Sequence, residues 1–277
     1  MQVLRCGRFR LELDRPRLMA IVNVTPDSFS GDGLNRDLDA AVRRAQAAVD
    51  AGADLLDIGG ESTRPGSEPV SEQEELDRVI PLVERLAGWA VPVSVDTFKP
   101  AVMRESLRAG ASLINDINAF RAPGAIDAVR DSEAALCVMH MQGEPRGMQS
   151  DPRYDDVVAE VLEFLHDRVR ALADEGVGRD RILLDPGFGF GKTLEHNLAL
   201  FRALDRFVAQ DYPVLVGVSR KSMIAAITGR AVAERVHGSV AAALLAVERG
   251  ARIVRVHDVA ATRDALKVWQ AVTDVPA

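Results

Sequence analysis

The chain has 277 residues, 47% of them hydrophobic and 27% charged, with a net charge of −7 and a pI near 5.4. That balance belongs to a globular protein with a large core, and the length suits a single α/β barrel, which typically runs to about 250 residues. The acidic surplus argues against a nucleic-acid surface, which needs a clustered basic footprint. Cys6 and Cys137 are too few for a disulfide framework or a metal cluster and read as free thiols in a reducing compartment. No signal-peptide series is recognisable near Met1, and no apolar run approaches the roughly 18 residues of a membrane span, so a cytoplasmic protein is expected.

Val3 to Asp14 sets Leu4, Phe9, Leu11 and Leu13 around Cys6-Gly7-Arg8, the pattern of a small hairpin ahead of the main fold. From Leu18 onward a short apolar run, a polar loop and an amphipathic helix repeat about eight times. The runs are Leu18–Val24, Leu55–Gly59, Pro92–Asp96, Ser112–Asp116, Ala135–Met139, Ile182–Asp185, Pro213–Val218 and Arg252–His257. Strands alternating with helices imply a parallel sheet, because parallel strands need crossover connections. The helices carry their own signals. Leu38, Val42, Ala45 and Val49 share a face that stops at Gly52; Ser71 to Glu74 reads as a capping box ahead of a helix that Pro81 should kink; Pro100 and Gly110 bracket a third. Val158, Val161, Leu162, Leu165, Val169 and Leu172 mark a long helix ending near Gly176. Nothing breaks the composition into a second unit. The expected fold is one (β/α)₈ barrel over residues 1–277, with the hairpin at its N-terminus.

The stretch from Ile182 to Lys192, Ile-Leu-Leu-Asp-Pro-Gly-Phe-Gly-Phe-Gly-Lys, is unlike an ordinary strand-to-helix turn. Glycines without a Cβ let the backbone approach a ligand closely. A P-loop would need glycine at Pro186, and a dinucleotide fingerprint would need its third glycine one residue later. The bland alternative is a turn in which Asp185 caps the next helix.

In a (β/α)₈ barrel, functional groups gather where strands end. Side chains alternate along a strand, so Ile253, Arg255 and His257 share one face. Ser94 with Asp96, Leu113 with Asn115, Leu183 with Asp185, and Gly217 with Ser219 repeat the pattern, while Asn23 ends the first run and Lys221 follows the seventh. Charged groups gathered on one rim must pair with each other or face a polar ligand. Asp96, Asn115 and Asp185 suit a flat heterocycle bearing N–H and NH₂ groups. Arg255, His257, Lys221 and Arg64 suit the charge of an anionic leaving group. His257 alone reads first as a structural histidine; beside Arg255 on the inward face it reads equally as an anion contact, while His140 and His237 carry no functional signal. No Ser-His-Asp set and no zinc-ligand spacing is present.

With these residues in place, the chain resembles the dihydropteroate synthase family from about Leu18 to His257. The resemblance rests on Asn23-Val-Thr-Pro-Asp-Ser-Phe-Ser30, Gly59-Gly-Glu-Ser-Thr-Arg-Pro-Gly66, Ser94-Val-Asp-Thr97, Ile114-Asn-Asp116, Asp185-Pro-Gly-Phe-Gly-Phe-Gly-Lys192, Ser219-Arg-Lys-Ser222 and Arg255-Val-His257. It implies a (β/α)₈ fold and condensation of 6-hydroxymethyl-7,8-dihydropterin pyrophosphate with p-aminobenzoate. It further implies that Asp96, Asn115, Asp185 and Lys221 hold the pterin, lined by Met139, Phe190 and Gly217. Asn23, Arg255, His257 and Arg64 would meet the pyrophosphate, with Mg²⁺ on Asn23, and Phe29, Thr63, Pro65 and Ser222 would surround the aminobenzoate. Lys221, Arg64 and Asp32 would act in the chemistry, and a homodimer is implied, for which the Ala-rich segment from Val240 to Val247 offers a surface. One departure stands out. Where the family pattern reads Ser-Phe-Ser-Asp-Gly-Gly, this chain has Ser28-Phe-Ser-Gly-Asp-Gly33, which puts the loop carboxylate at Asp32. The competing readings are a pterin-dependent methyltransferase domain, against which Lys221 and Thr63-Arg64-Pro65 speak, and a non-catalytic pterin-binding paralogue.

Overall fold

A computed structural model of the chain describes residues 2–24, 34–63 and 66–273, with the side chains of 34–37 left aside. Phe29, Asp32, Arg64 and Pro65 therefore lie outside the described residues. Two short antiparallel strands open the chain, β1 (Val3–Cys6) and β2 (Phe9–Glu12). Eight parallel strands follow: β3 (Arg17–Asn23), β4 (Leu55–Gly59), β5 (Val93–Asp96), β6 (Leu113–Asp116), β7 (Ala135–Met139), β8 (Ile182–Asp185), β9 (Leu215–Val216) and β10 (Ile253–Val256). The hydrogen-bonded order runs β8-β7-β6-β5-β4-β3-β10-β9. A parallel bridge between Leu184 and Val214, with Leu184 N donating to Pro213 O at 2.8 Å, joins β8 to the approach of β9 and closes the barrel.

The strand faces sort as period two requires. Leu18, Ala20 and Val22, Leu56 and Ile58, Val93 and Val95, Leu136 and Val138, and Val254 and Val256 pack outward on the helices in one continuous core. Their inward neighbours Met19, Leu55, Leu113, Ala135, Cys137, Leu183, Leu215 and Ile253 form a separate apolar floor. Leu4, Cys6 and Leu13 of the N-terminal hairpin join that floor, so the hairpin stoppers the end of the barrel from which the strands start. The seventh run pairs over less than its apolar length: Leu215 and Val216 form the ladder with β10, Val214 adds the bridge to β8, and the pairing ends before Gly217.

The helical signals are realised closely. The first helix is α1 (Leu34–Asp50). In α2 (Glu72–Leu86) the N-cap Ser71 accepts from Glu74 N–H, and the helix runs unbroken through Pro81. In α3 (Pro100–Ala109) the capping Gly110 sits at φ 108°, a conformation that favours glycine. After the short α4 (Ala125–Val129) comes α5 (Val157–Asp174), capped by Asp156, followed by α6 (Leu194–Arg202) and α7 (Leu204–Val208). The last three are α8 (Ser222–Thr228), α9 (Val236–Glu248) and α10 (Val259–Thr273). No described helix is long and apolar enough to cross a membrane.

Candidate active site at the barrel mouth

Above the apolar floor the inward positions turn polar, as the alternation along each strand dictates. Asp57 in β4, Ser94 and Asp96 in β5, Asn115 in β6, Asp185 in β8 and Arg255 in β10 all reach this level. The guanidinium of Arg255 is shared: Nε donates to Asp57 Oδ2 at 2.5 Å and Nη2 to Asp96 Oδ2 at 2.8 Å. Asp57 is fully buried and also accepts from Ser94 Oγ at 2.5 Å and from Asn115 Nδ2 at 3.4 Å. One carboxylate thus orients three neighbours. It leaves Asp96 Oδ1 and Asn115 Oδ1 buried with no hydrogen-bond partner among the described residues. Unmet buried acceptors are costly, and two of them side by side mark where a donor-bearing ligand belongs.

The charges are mutually tuned. Burial pushes Asp96 up to about 7, with Arg255 opposing and Asp57 adding to the rise. Burial likewise raises Asp185, against Lys221 and the backbone N–H of Gly187, which donates to Asp185 Oδ1 at 2.7 Å. Lys221 is drawn down to about 8 by burial, with Asp185 opposing. Burial works against the charge on Arg255, but Asp57 and Asp96 more than offset it and hold its pKa above the ordinary value.

Lys221 is the N-cap residue of α8; its Nζ donates to Phe188 O at 2.6 Å and lies 4.6 Å from the centre of the Phe190 ring. Arg220, just before it, adopts φ 58°, a left-handed conformation that costs a non-glycine residue about 1 kcal/mol. Ser239 Oγ accepting from Arg220 N at 2.9 Å, and Asp258 accepting from Arg220 Nε at 2.9 Å, hold it there. Gly217 keeps the space between Arg255 and Lys221 open: a Cβ there would stand 3.8 Å from Arg255 Cβ and 4.0 Å from Lys221 Nζ. Met139 and Phe190 join Ile117, Met141 and Met148 in a small apolar wall beside the cluster. His257 meets Ser219 Oγ through its backbone N at 3.2 Å and its Nδ1 at 3.1 Å. Asn23 ends β3 with its amide oxygen 3.3 Å from where a Gly59 Cβ would be. Thr63 is half-buried and Ser222 is exposed; neither bonds to the ionic cluster among the described residues.

The glycine-rich stretch does not cap a helix through Asp185. Thr193 caps α6 instead, in a reciprocal box with His196. Three participants escape sequence reading. Asp57 is one, although its place between Leu55 and Gly59 on the inward face was a usable signal. Lys99 is another: its Nζ lies 2.7 Å from Glu61 Oε2 and 2.6 Å from Glu75 Oε2, while Glu61 Oε1 accepts from Val70 N at 3.1 Å, so the trio anchors both ends of the loop after β4. The third is Lys192, buried beneath the glycine loop.

Residues 19–257, which include every described member of this cluster, match the pterin binding enzyme family. The chain belongs to that family, among the dihydropteroate synthases. Dihydropteroate synthase of Neisseria meningitidis serogroup B is 51% identical over 276 residues, covering 97% of each chain. The structure of Xanthomonas albilineans dihydropteroate synthase with 4-aminobenzoic acid superposes with a TM-score of 0.93 at 55% identity, covering 99% of both chains. That of Burkholderia cenocepacia dihydropteroate synthase complexed with 7,8-dihydropteroate does so with a TM-score of 0.89 at 56% identity, covering 98% of this chain and 96% of the other. A barrel open at one end, with bare acceptors at mid-depth and cations around them, is what a family handling a pterin and an aromatic amine requires.

Proposed function

We propose that the mouth condenses 6-hydroxymethyl-7,8-dihydropterin pyrophosphate with p-aminobenzoate, releasing 7,8-dihydropteroate and pyrophosphate. The observation that carries this reading is the pair of buried, unpartnered oxygens on Asp96 and Asn115 beside the Arg255 and Lys221 cations. Asp96, Asn115 and Asp185 accept from the N–H and NH₂ groups of the pterin, Met139 and Phe190 cover its faces, and Lys221 donates to its acceptor edge. Asn23, Arg255, His257 and Arg64 receive the pyrophosphate arm. Phe29, Thr63, Pro65 and Ser222 receive the aminobenzoate, and Asp32 supplies the loop carboxylate near the developing positive charge.

The chemistry needs no protein nucleophile. The C–O bond to pyrophosphate breaks with its electron pair leaving on oxygen, the electron-rich dihydropterin bears the cation, and the aniline nitrogen adds and sheds a proton. Fixed cations aimed at the departing oxygens lower the barrier. Among the described residues no group of three or more His, Cys, Asp or Glu stands ready for a metal, and the candidate donor is the single amide oxygen of Asn23. That fits Mg²⁺, which keeps several waters and binds mostly through substrate phosphates. When bound, the ion offsets charge on the leaving group.

We also propose a homodimer and a cytoplasmic location. Leu245 in α9 and Val268 and Val272 in the neighbouring α10 are exposed apolar side chains that a second copy would cover. Sedimentation at micromolar concentration tests this, and a monomer there would refute it. Two buried, unpaired thiols suit a reducing compartment, which cell fractionation would check.

The deciding assay for the reaction is pyrophosphate release with both substrates and with each omitted. Release that requires both supports the condensation. Tight pterin binding without release would leave the non-catalytic paralogue.

A further inference from the structure

The lysine that ends the glycine-rich stretch is absent from the chemistry above, yet it is 3% exposed, and the hydrogen-bond partners of its Nζ among the described residues are neutral. Its Nζ is 2.9 Å from His140 Nδ1, 2.9 Å from Gly187 O and 3.0 Å from Phe190 O, with His140 O at 3.4 Å. An ammonium has three protons, and four neutral acceptors surround it. The loop it grips is held carbonyl by carbonyl. Gly187 O and Phe190 O accept from Lys192, Phe188 O from Lys221 at 2.6 Å, Gly189 O from Gln149 Nε2 at 2.5 Å, and Gly191 O from Tyr154 Oη at 2.8 Å. Gly187, Gly189 and Gly191 all take positive φ, so the chain can turn each carbonyl to its own donor.

Two lysines therefore grip the carbonyls of one loop, Lys192 those of Gly187 and Phe190 and Lys221 that of Phe188 between them. The amide side of the same loop is committed as well: Gly187 N donates to Asp185 Oδ1 at 2.7 Å and Gly189 N to Asn197 Oδ1 at 2.7 Å. Lys192 ties all of this to the end of β7 through His140, against whose carbonyl Gly187 packs so closely that a Cβ would fall 1.8 Å from the oxygen. Burial drives the Lys192 pKa well below its ordinary value, with Asp185 opposing, and drives His140 down to about 2, so the imidazole is neutral; in the tautomer with its proton on Nε2, Nδ1 accepts from Lys192 Nζ.

We propose that Lys192 is a positioning residue for the pterin: by locking Gly187 to Gly191 onto β7, it fixes the carbonyl that holds Lys221 and the turn that aims Asp185. The proposal rests on the reading of this slot as the pterin subsite.

The test uses the whole enzyme with 6-hydroxymethyl-7,8-dihydropterin pyrophosphate and p-aminobenzoate. Lys192→Met is expected to weaken the pterin dissociation constant by about 30-fold or more, within the range by which misplaced groups weaken a site. The KM for p-aminobenzoate should stay within about two-fold, because its expected contacts lie on other loops. A lower melting temperature with unchanged pterin affinity in the folded protein would mean a merely structural lysine and overturn the proposal. Should Lys192→Met fail to fold, a milder pair decides. His140→Asn keeps an acceptor at the Nδ1 position and should bind the pterin like wild type, whereas His140→Leu should bind it about five-fold more weakly, the loss of one buried hydrogen bond. Equal affinities in the pair would refute the role. A wild-type protein that binds no pterin would remove the functional reading itself, and this inference with it.

Discussion

Replacing Arg255 by methionine keeps most of the side-chain volume and deletes the shared counter-ion of Asp57 and Asp96. Removing one partner from a buried ion pair costs about 3–5 kcal/mol, because a charge is left in a site that cannot solvate it. Here the cost should depend on pH. Asp96 has a folded pKa of about 7, raised chiefly by burial, with Arg255 the largest influence holding it down. An acid whose folded pKa exceeds its unfolded value of about 3.9 contributes stability below that lower value and loses it as pH rises through the folded one. In wild type that loss is complete shortly above pH 7. In Arg255→Met the Asp96 value moves further up, so the loss continues to higher pH, by about 1.4 kcal/mol for each unit moved. At pH 5.5 Asp96 carries its proton in both proteins, and the deficit shrinks to lost packing and the stranded Asp57. Urea unfolding at pH 5.5 and 8.5 reads the difference directly. We expect a deficit larger by at least about 1.4 kcal/mol at the higher pH, and partial recovery there on adding Asp57→Asn. The same deficit at both pH values, or no recovery, would show that the three groups are not electrostatically linked.

Three further outcomes are expected. The profile of kcat/KM against pH should be a narrow bell, rising as Asp96 ionises near about 7 and falling as Lys221 loses its proton near about 8; a flat profile from pH 6 to 9 would contradict both assignments. Gly187→Ala combines φ 72° with a Cβ overlapping the His140 carbonyl and should cost about 3 kcal/mol or more. Gly124→Ala, at φ 81° with nothing within 4 Å, should cost only about 1 kcal/mol in the same thermal melts, and equal losses would mean that the overlap is relieved. Turnover should vanish in excess chelator and return on adding Mg²⁺, and full activity without the ion would exclude its role.

The barrel was legible because each strand announced itself twice, as an apolar run and through the helix that had to follow it. Leu55–Gly59 and Ala135–Met139 begin and end where their apolar runs do. The rim residues were legible for the same reason: once a strand's end is known, alternation decides which side chain faces in, and Asp96, Asn115, Asp185 and Arg255 meet accordingly. Asp57 was hidden by its surroundings. An acid in the middle of an apolar strand gives no local sign of its partner, and Arg255 lies 198 residues away. Lys192 was hidden because a lysine closing a glycine run gives no local sign of its partner, and His140 is 52 residues upstream. Pro213–Val218 shows the opposite error: apolar character continued for core packing after the backbone had left the ladder.

The hairpin wedged among Met19, Leu55, Leu113 and Ile253 has a kinetic consequence. A cylinder corked at one end has a single doorway, so arrivals and departures share it. Whatever lodges nearest the cork must enter before anything stacked above it, and order of entry is then governed by depth, however tightly the later guest binds.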